Sequence, residues 1–440
     1  MSEISNILKK WASKEGVQFK SSETEKEFEE RAQRVGEAIQ LKVPDRIPIA
    51  PDAEFFPPIY AGVSLKEVMY DYNKAYAAWS KTLIDFKWDA AMPPFTYSGK
   101  VFEILRYRQI YWPGCGLKDD ATIYQFIEPW QQIKGEVIYE GMKPEEYDWF
   151  IEDPSDYIIR GFLPKISGVL APFRNLYPIH AICCWYQGLF ESLATPDIDK
   201  AFQALADAAR ETSKWLRSFI GFVMELKSMG FPVFTLSATH APFDFIANFF
   251  RGTRGAFLDI YRIPEKIKAA CKKITPFMVE AGIVGAKATG NPIVSIFLHK
   301  GVFMNINQYK EFYWPTLKEV LLKLIDNGIL PYVYTEGDYT KYLDIIKDMP
   351  KGRIIYHVEK DIFKAKEILG DKFCLTGGIP VSLLQAGTPK KVEEYCEKAF
   401  EVLGENGGFI LDTDLPLAEA KPENLKAVND AILKYGVYRK

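Results

Sequence analysis

No two cysteines in this chain have the spacing of a thiolate metal clip. Cys115, Cys183, Cys184, Cys271, Cys374 and Cys396 lie scattered through apolar or helical stretches. That rules out a CxxC zinc site and a disulfide framework as organising devices, and the thiols are expected to be reduced and buried. Excess positive charge is also missing: the formal net charge is -3, which offers no field for a phosphate backbone, so nucleic acid is not an expected partner. No run approaches the roughly 18 apolar residues of a spanning helix, and MSEISNILKKWASKEG at the amino terminus has no signal-peptide core. A cytoplasmic protein without membrane contact is expected. Repeats and low-complexity segments are absent as well. Histidine is scarce, with four in the chain, so the position of each one carries information.

What is present is material for a large core: 440 residues, 48% hydrophobic and 14% aromatic, far from the composition of disordered chains. Apolar or period-2 runs bounded by turn residues predict eight strands. They are IPIA (47–50), WDAAM (88–92), VFTLSA (233–238), IVSIFL (293–298), PYVYTE (331–336), IIYHV (354–358), FCLTG (373–377) and FILD (409–412). Between them run helices with readable starts: Ser64 with Glu67 as a capping box, Pro264 opening PEKIKAACKKI, and Thr388 before Pro389. Eight strands alternating with helices predict an α/β fold, a (β/α)₈ TIM barrel, spanning residues 44–440. Residues 1–43 read as an extension of one or two amphipathic helices, packed on the barrel or on a partner. Residues 93–230 break the rhythm and read as an insertion after the second strand. Long excursions of this kind usually form lids or binding surfaces, so the insertion is expected over the barrel mouth. Its aromatics Trp112, Tyr147 and Trp149 are then expected to wall the substrate.

In such barrels the reacting groups gather where strands end, at the carboxyl face. The predicted strand ends here are polar. The third runs into Thr239, His240 and Asp244, the fourth into His299, the fifth into Glu336 and Asp338, the sixth carries His357 and Glu359, and the eighth ends at Asp412 and Asp414. One reading is mundane: loops begin there, and each histidine hydrogen-bonds to backbone. The sharper one is a divalent metal site of imidazole and carboxylate ligands, a donor set that suits zinc with an open position. Glu336 and His357 form the preferred ligand pair, because they occupy matching positions on adjacent predicted strands. His299 or His240 would supply the third ligand or a proton, and His240, His299 and Asp338 are the candidate catalytic groups. His180 reads as a satisfied core or interface histidine. The paired glycines of LTGGIPV serve either a ligand's close approach or a tight strand-to-helix turn.

The runs FYWPTLKEVLLKLIDNGILPYVYTEGDY, DIFKAKEILGDKFCLTGGIPVSLLQAGTPKKVEEYC and GGFILDTDLPLAEAKPENLKAV resemble the carboxyl half of uroporphyrinogen decarboxylase superfamily proteins. Upstream, PDRIPIAP, THAPFDFIANFFRG and IYRIPEKI extend the resemblance to about residues 44–436. The superfamily holds uroporphyrinogen decarboxylases and zinc-dependent methyltransferases that serve corrinoid proteins. The decarboxylase pattern has an arginine-rich stretch resembling RQAGRxxPEYR, whereas this chain offers only Arg31, Arg34 and Arg46 before residue 60. The thiol-directed methyltransferases carry HxCG at strand five and a cysteine after strand eight, where this chain has Tyr334, Glu336 and Gly337, then Asp412 to Asp414. What remains is similar to the corrinoid-dependent demethylases of methoxylated compounds, in which a glutamate and a histidine separated by twenty residues bind zinc, the spacing of Glu336 and His357 here. Where that pattern has a further upstream glutamate, this chain has Leu321.

The resemblance therefore implies a zinc-dependent methyltransferase. It would move a methyl group from a small methylated donor, such as an aryl methyl ether, to a corrinoid protein, with zinc on Glu336, His357 and His299. The alternatives are a metal-free decarboxylase or lyase, and a non-enzymatic binding protein on the same barrel. An oligomer is compatible with each.

Overall fold

The computed structural model describes residues 3–94 and 96–438, so the first two residues of the amino-terminal extension, Phe95 of the insertion, Arg439 and Lys440 lie outside the described residues. Six of the eight expected strands form one parallel sheet in sequential order: Ser237–His240, Ile293–Leu298, Leu330–Thr335, Ile355–Val358, Cys374–Ile379 and Phe409–Thr413. The first two expected strands are reduced to single bridges, yet they close the ring. Ile49 pairs in parallel with Leu411 of the eighth strand, and Ala91 pairs in parallel with Val233 ahead of the third. Asp89 N–H donates to the Ile49 carbonyl at 2.8 Å, which joins the two bridge segments to each other. The fold is the (β/α)₈ barrel, with helices packed outside it.

Closure across such short segments depends on one buried carboxylate. Asp89 is fully buried. It accepts from Arg34 Nη1 at 2.6 Å, from Arg46 Nη1 at 2.8 Å and from the Ile49 N–H at 2.9 Å. Arg34 also grips Asp45 with two hydrogen bonds. Two guanidinium groups and a backbone donor thus hold strands one and two where ladder hydrogen bonds are too few.

The amino-terminal extension folds as two helices, Glu3–Trp11 and Ser22–Ile39. They pack on the barrel. Ile7, Trp11, Phe28 and Val35 share one apolar cluster with the opening residues of the strands, among them Ile293, Leu330, Ile355 and Ile410. The Trp11 indole N–H lies 3.0 Å from the Val233 carbonyl oxygen and 3.1 Å from that of Phe234. The amino-terminal end of the barrel is therefore sealed.

Other start signals behave as read. Ser64 and Glu67 form a reciprocal capping box on Leu65–Tyr70, and Thr388 caps Pro389–Leu403. The Pro264 helix runs further than expected, to Thr289, carrying Pro276 inside it. The paired glycines answer to the backbone: Gly377 has φ +122°, and a Cβ there would sit 2.6 Å from the Val358 carbonyl oxygen.

Two expectations fail. Cys271, Cys374 and Cys396 are buried, but Cys115, Cys183 and Cys184 are exposed, because the insertion's apolar segments around them lie at the surface rather than in the core. His180 is exposed for the same reason. No described helix is long and apolar enough to cross a membrane.

Replacing Asp89 with Ala should cost about 3–5 kcal/mol, since it takes the buried carboxylate from the buried Arg34 and the partly buried Arg46. Chemical denaturation followed by circular dichroism checks this, and an unchanged midpoint would show that closure rests elsewhere.

Candidate active site

Strand alternation decides which side chains enter the barrel. On the fifth strand Leu330, Tyr332 and Tyr334 share the inner apolar cluster with Ala50, Ile355 and Ile410. Two residues beyond each of the last three, on the same parity, stand Asp52, His357 and Asp412, and Glu336 follows Tyr334 in the same way. The inner face thus passes from apolar at the sealed end to acidic at the carboxyl end.

His299 and Glu336 meet at the mouth, with Nε2 3.1 Å from Oε1. Asn248 Nδ2 lies 2.7 Å from His299 Nδ1. When the amide donates there, the ring proton is placed on Nε2, facing Glu336. The buried Asp244 fixes this corner from behind: it accepts the His299 N–H at 2.8 Å, the Lys300 N–H at 3.0 Å and the Tyr313 hydroxyl at 2.7 Å. Burial works against a charged His299 ring, but the Glu336 hydrogen bond and charge, with Asp244 behind, outweigh it and hold the pKa above its usual value. His240 packs edge-on against Phe249 and lies near His299. Burial and the neighbouring His299 push it down to about 4, so it stays neutral at physiological pH.

His357 is fully buried and stacks on Tyr334 with ring centroids 3.8 Å apart. Its Nε2 lies 3.0 Å from the Thr413 carbonyl oxygen, while Nδ1 has no hydrogen-bond partner. Burial lowers its pKa to about 4. Asp338 turns the other way. It is exposed, accepts the Thr340 N–H at 2.9 Å, and those hydrogen bonds hold its carboxyl below the usual range. It caps a turn.

The structure brings His240, His299 and Glu336 together, but it does not gather the expected zinc ligands into one pocket. Among the described residues no group of three or more His, Cys, Asp or Glu side chains is arranged to hold a metal ion. Leu321 is buried on the inner face of the helix Trp314–Asp326. Glu336, His357 and His299 as arranged do not fit the ion, and no chemical step is routed through it.

Sequence reasoning missed Asp52 and Glu54, which follow the first strand. Their signal was available: in IPIAPDAEF they continue the two-residue period of the strand. Burial and the Glu336 charge lift Asp52 to about 6. Burial, then Asp52 and Glu336, lift Glu54 to about 8. Asp412 is buried and is likewise pushed up to about 8, by burial first and Asp52 second. Its Oδ1 accepts the Asp52 N–H at 2.8 Å and the Thr413 N–H at 2.7 Å.

The insertion reaches this face through Tyr124, whose hydroxyl lies 3.4 Å from Glu54 Oε1, and through Glu128, which pairs with Lys300 at 2.7 Å. Its expected substrate walls have other work. Trp112 is buried and donates to the Tyr70 hydroxyl at 3.0 Å, Tyr147 is buried and donates to Asp259 at 2.8 Å, and Trp149 donates to Asp156 at 2.7 Å. Trp149 packs the insertion itself, while Trp112 and Tyr147 tie it to Tyr70 and Asp259 outside it.

A barrel sealed at one end, with histidine and carboxylates at the other, defines an enzyme-like α/β barrel whose candidate chemistry sits at the carboxyl face. The model of the uroporphyrinogen decarboxylase (URO-D) family matches residues 190–435, more than half of the chain, and the chain belongs to that family. Uroporphyrinogen decarboxylase of Chlorobaculum parvum is 24% identical over 250 residues, 55% of this chain and 68% of the relative. That of Chlorobium luteolum is 27% identical over 175 residues, 38% of this chain and 48% of the relative. Among solved structures, a methyltransferase from Methanosarcina mazei shares the fold with a TM-score of 0.56 at 14% identity, covering 91% of this chain and 98% of its own.

The raised Asp412 pKa has a sign that can be measured. Between about pH 4 and about pH 8 the folded carboxyl keeps a proton that the unfolded chain has released, so stability falls as pH rises across that window. Asp412→Asn should therefore be more stable than the wild type at pH 8, with the gain vanishing near pH 4. Urea denaturation at several pH values checks this, and a pH-independent difference would contradict it.

Proposed function

We propose that this protein is a methyltransferase that carries a methyl group from a small methylated donor to a corrinoid protein. The observation that carries the reading is the carboxyl lining of the mouth. Asp52, Glu54, Glu336 and Asp412 line it, and the arginines that precede residue 60 are committed elsewhere. Arg34 and Arg46 hold Asp89, and Arg31 is bound to the Gly230 carbonyl and Glu27. A tetrapyrrole bearing many carboxylates would meet further carboxyl groups there and no guanidinium fork. That argues against the decarboxylase reading suggested by the names of the Chlorobaculum and Chlorobium relatives. It leaves methyl transfer, the activity named for the Methanosarcina mazei neighbour.

The chain's own groups suffice for acid–base work. The methyl carbon passes to the corrinoid's metal, its bond to the donor's heteroatom breaks, and the donor keeps the bonding pair. Against burial, the Glu336 hydrogen bond and charge raise the His299 pKa. With the Asn248 amide turned to present its oxygen to Nδ1, the doubly protonated ring stands where it can give its Nε2 proton to that heteroatom if the leaving group is anionic. Neutral His240 and the rings of Phe245 and Phe249 keep the corner apolar, which strengthens the His299–Glu336 attraction. Asp244 and Asn248 fix the ring's direction.

Glu336→Gln removes the charge that holds the His299 proton while conserving volume at a side chain that is nearly half exposed. Thermal stability should change little, and methyl transfer to a corrinoid acceptor from a donor with an anionic leaving group should fall by about 10²–10⁴-fold. Cobalt absorbance in a coupled assay reads the rate. Full activity in the variant would remove the pair from the mechanism.

A further inference from the structure

Asp52 and Glu54 take no part in the chemistry above, and among the described residues no lysine or arginine forms an ion pair with either, or with Asp412. Such a concentration of acid has no compensating cation from the chain, so protons retained by Glu54 and Asp412 do that work, and a bound cation would displace them. A second feature of the same space points to a missing occupant. The Tyr334 hydroxyl, buried with 2% of its surface exposed, lies against the Asp52 carboxyl without a well-formed hydrogen bond to any group. Aromatic rings complete the surroundings. The Tyr124 hydroxyl reaches Glu54, and its ring packs against Phe55 at 5.1 Å, Tyr97 at 5.4 Å and Phe126 at 5.5 Å. Phe126 keeps half of its surface open.

We propose that the methyl donor is itself a cation, a small methylammonium compound. It would be held by the Asp52 and Glu54 carboxylates against the rings of Tyr97, Tyr124 and Phe126, with Glu336 at its reacting side. The inference rests on the methyl-transfer reading and names its substrate class. Among the described residues these carboxylates form no metal-holding group. Such acids suit a larger, softly solvated cation, and π-faces attract such cations where a neutral ether gains only contact area. The chemistry balances without a Lewis acid. The C–N bond breaks, its electron pair returns to nitrogen, and a neutral amine departs, so neither zinc nor proton is needed at the leaving group. The carboxylates therefore bind rather than accelerate: the positive charge they attract fades toward the transition state. Their loss should raise KM while leaving kcat nearly unchanged.

The test compares choline with its uncharged carbon isostere, 3,3-dimethylbutan-1-ol, by isothermal titration calorimetry on the full chain. The cation should bind roughly tenfold or more tighter. Glu54→Gln should abolish the preference while thermal unfolding stays as in the wild type. Equal binding of the two compounds, binding of neither, or an unaltered preference in Glu54→Gln would overturn the proposal, and the wild-type comparison decides the matter even if the variant misfolds. So would a divalent metal ion alone that saturates these residues at lower concentration than choline. Methyl transfer from a neutral aryl ether without any cation preference would refute the cationic donor and leave the methyltransferase reading intact. Cation binding that is never followed by methyl transfer to a corrinoid acceptor supports the cation site and refutes the methyltransferase reading.

Discussion

The ion cluster at Asp89 governs the rest of the molecule. A parallel barrel is held by ladders between neighbours, and here two of the eight neighbours contribute a single bridge each. Arg34 and Arg46 converge on the Asp89 carboxylate, which also accepts the Ile49 N–H, and so supply what the missing ladders do not. The first strand's position against the eighth follows from that closure. Asp52 and Glu54 are carried round to face Asp412 and Glu336 across the mouth. The acidic character of the site is thus a consequence of how the ring is shut. It also depends on the same arginines, which lie behind the barrel wall and cannot neutralise the acids.

Within the ring, period-2 alternation produces a gradient. Apolar first residues of the strands meet the amino-terminal helices. Tyr332, Tyr334 and His357 form a middle layer of buried polar side chains, and carboxylates crown it. Burial in that layer keeps His357 neutral and holds Asp412 protonated well above its ordinary range. His299 escapes the same fate because Glu336, at the open edge, compensates its charge. The pKa values of two imidazoles within one corner, His240 and His299, are consequently shifted in opposite directions, and the difference comes from which of them has a carboxylate partner.

Much of this was readable in the sequence. Strand periodicity located eight segments, and IVSIFL matches its strand residue for residue. Capping residues marked helix starts, and the strand-end rule directed attention to His240, His299 and Glu336, which do meet. Other features were hidden for physical reasons. Asp52 and Glu54 follow a segment so short that its continuation past Pro51 does not read as strand, although the alternation persists. Asp338 looks like a strand-end acid, but Gly337 with φ +101° redirects the chain, and its carboxylate serves the turn. Glu336 and His357 have ligand-like spacing, yet the fifth strand ends at Thr335 while His357 sits inside the sixth, so one side chain reaches the mouth and the other stays in the lumen. Trp112, Tyr147 and Trp149 offer aromatic surface in sequence. Only the fold shows that each ring spends its polar hydrogen on a packed neighbour, Tyr70, Asp259 or Asp156.

The sealed amino-terminal end carries one more consequence. With Trp11 and the helices beneath it closing the floor, the carboxyl face is left as the side of the barrel through which reactants would pass. Under the proposed reaction, a macromolecular acceptor docking on that rim would cover the path of the small donor. Reactants of such unequal size would then follow a sequence: the small one first, the large one as a stopper, and no release of the spent small molecule until the stopper has gone. The proposed chemistry on this architecture would thus carry a compulsory order of arrival and departure.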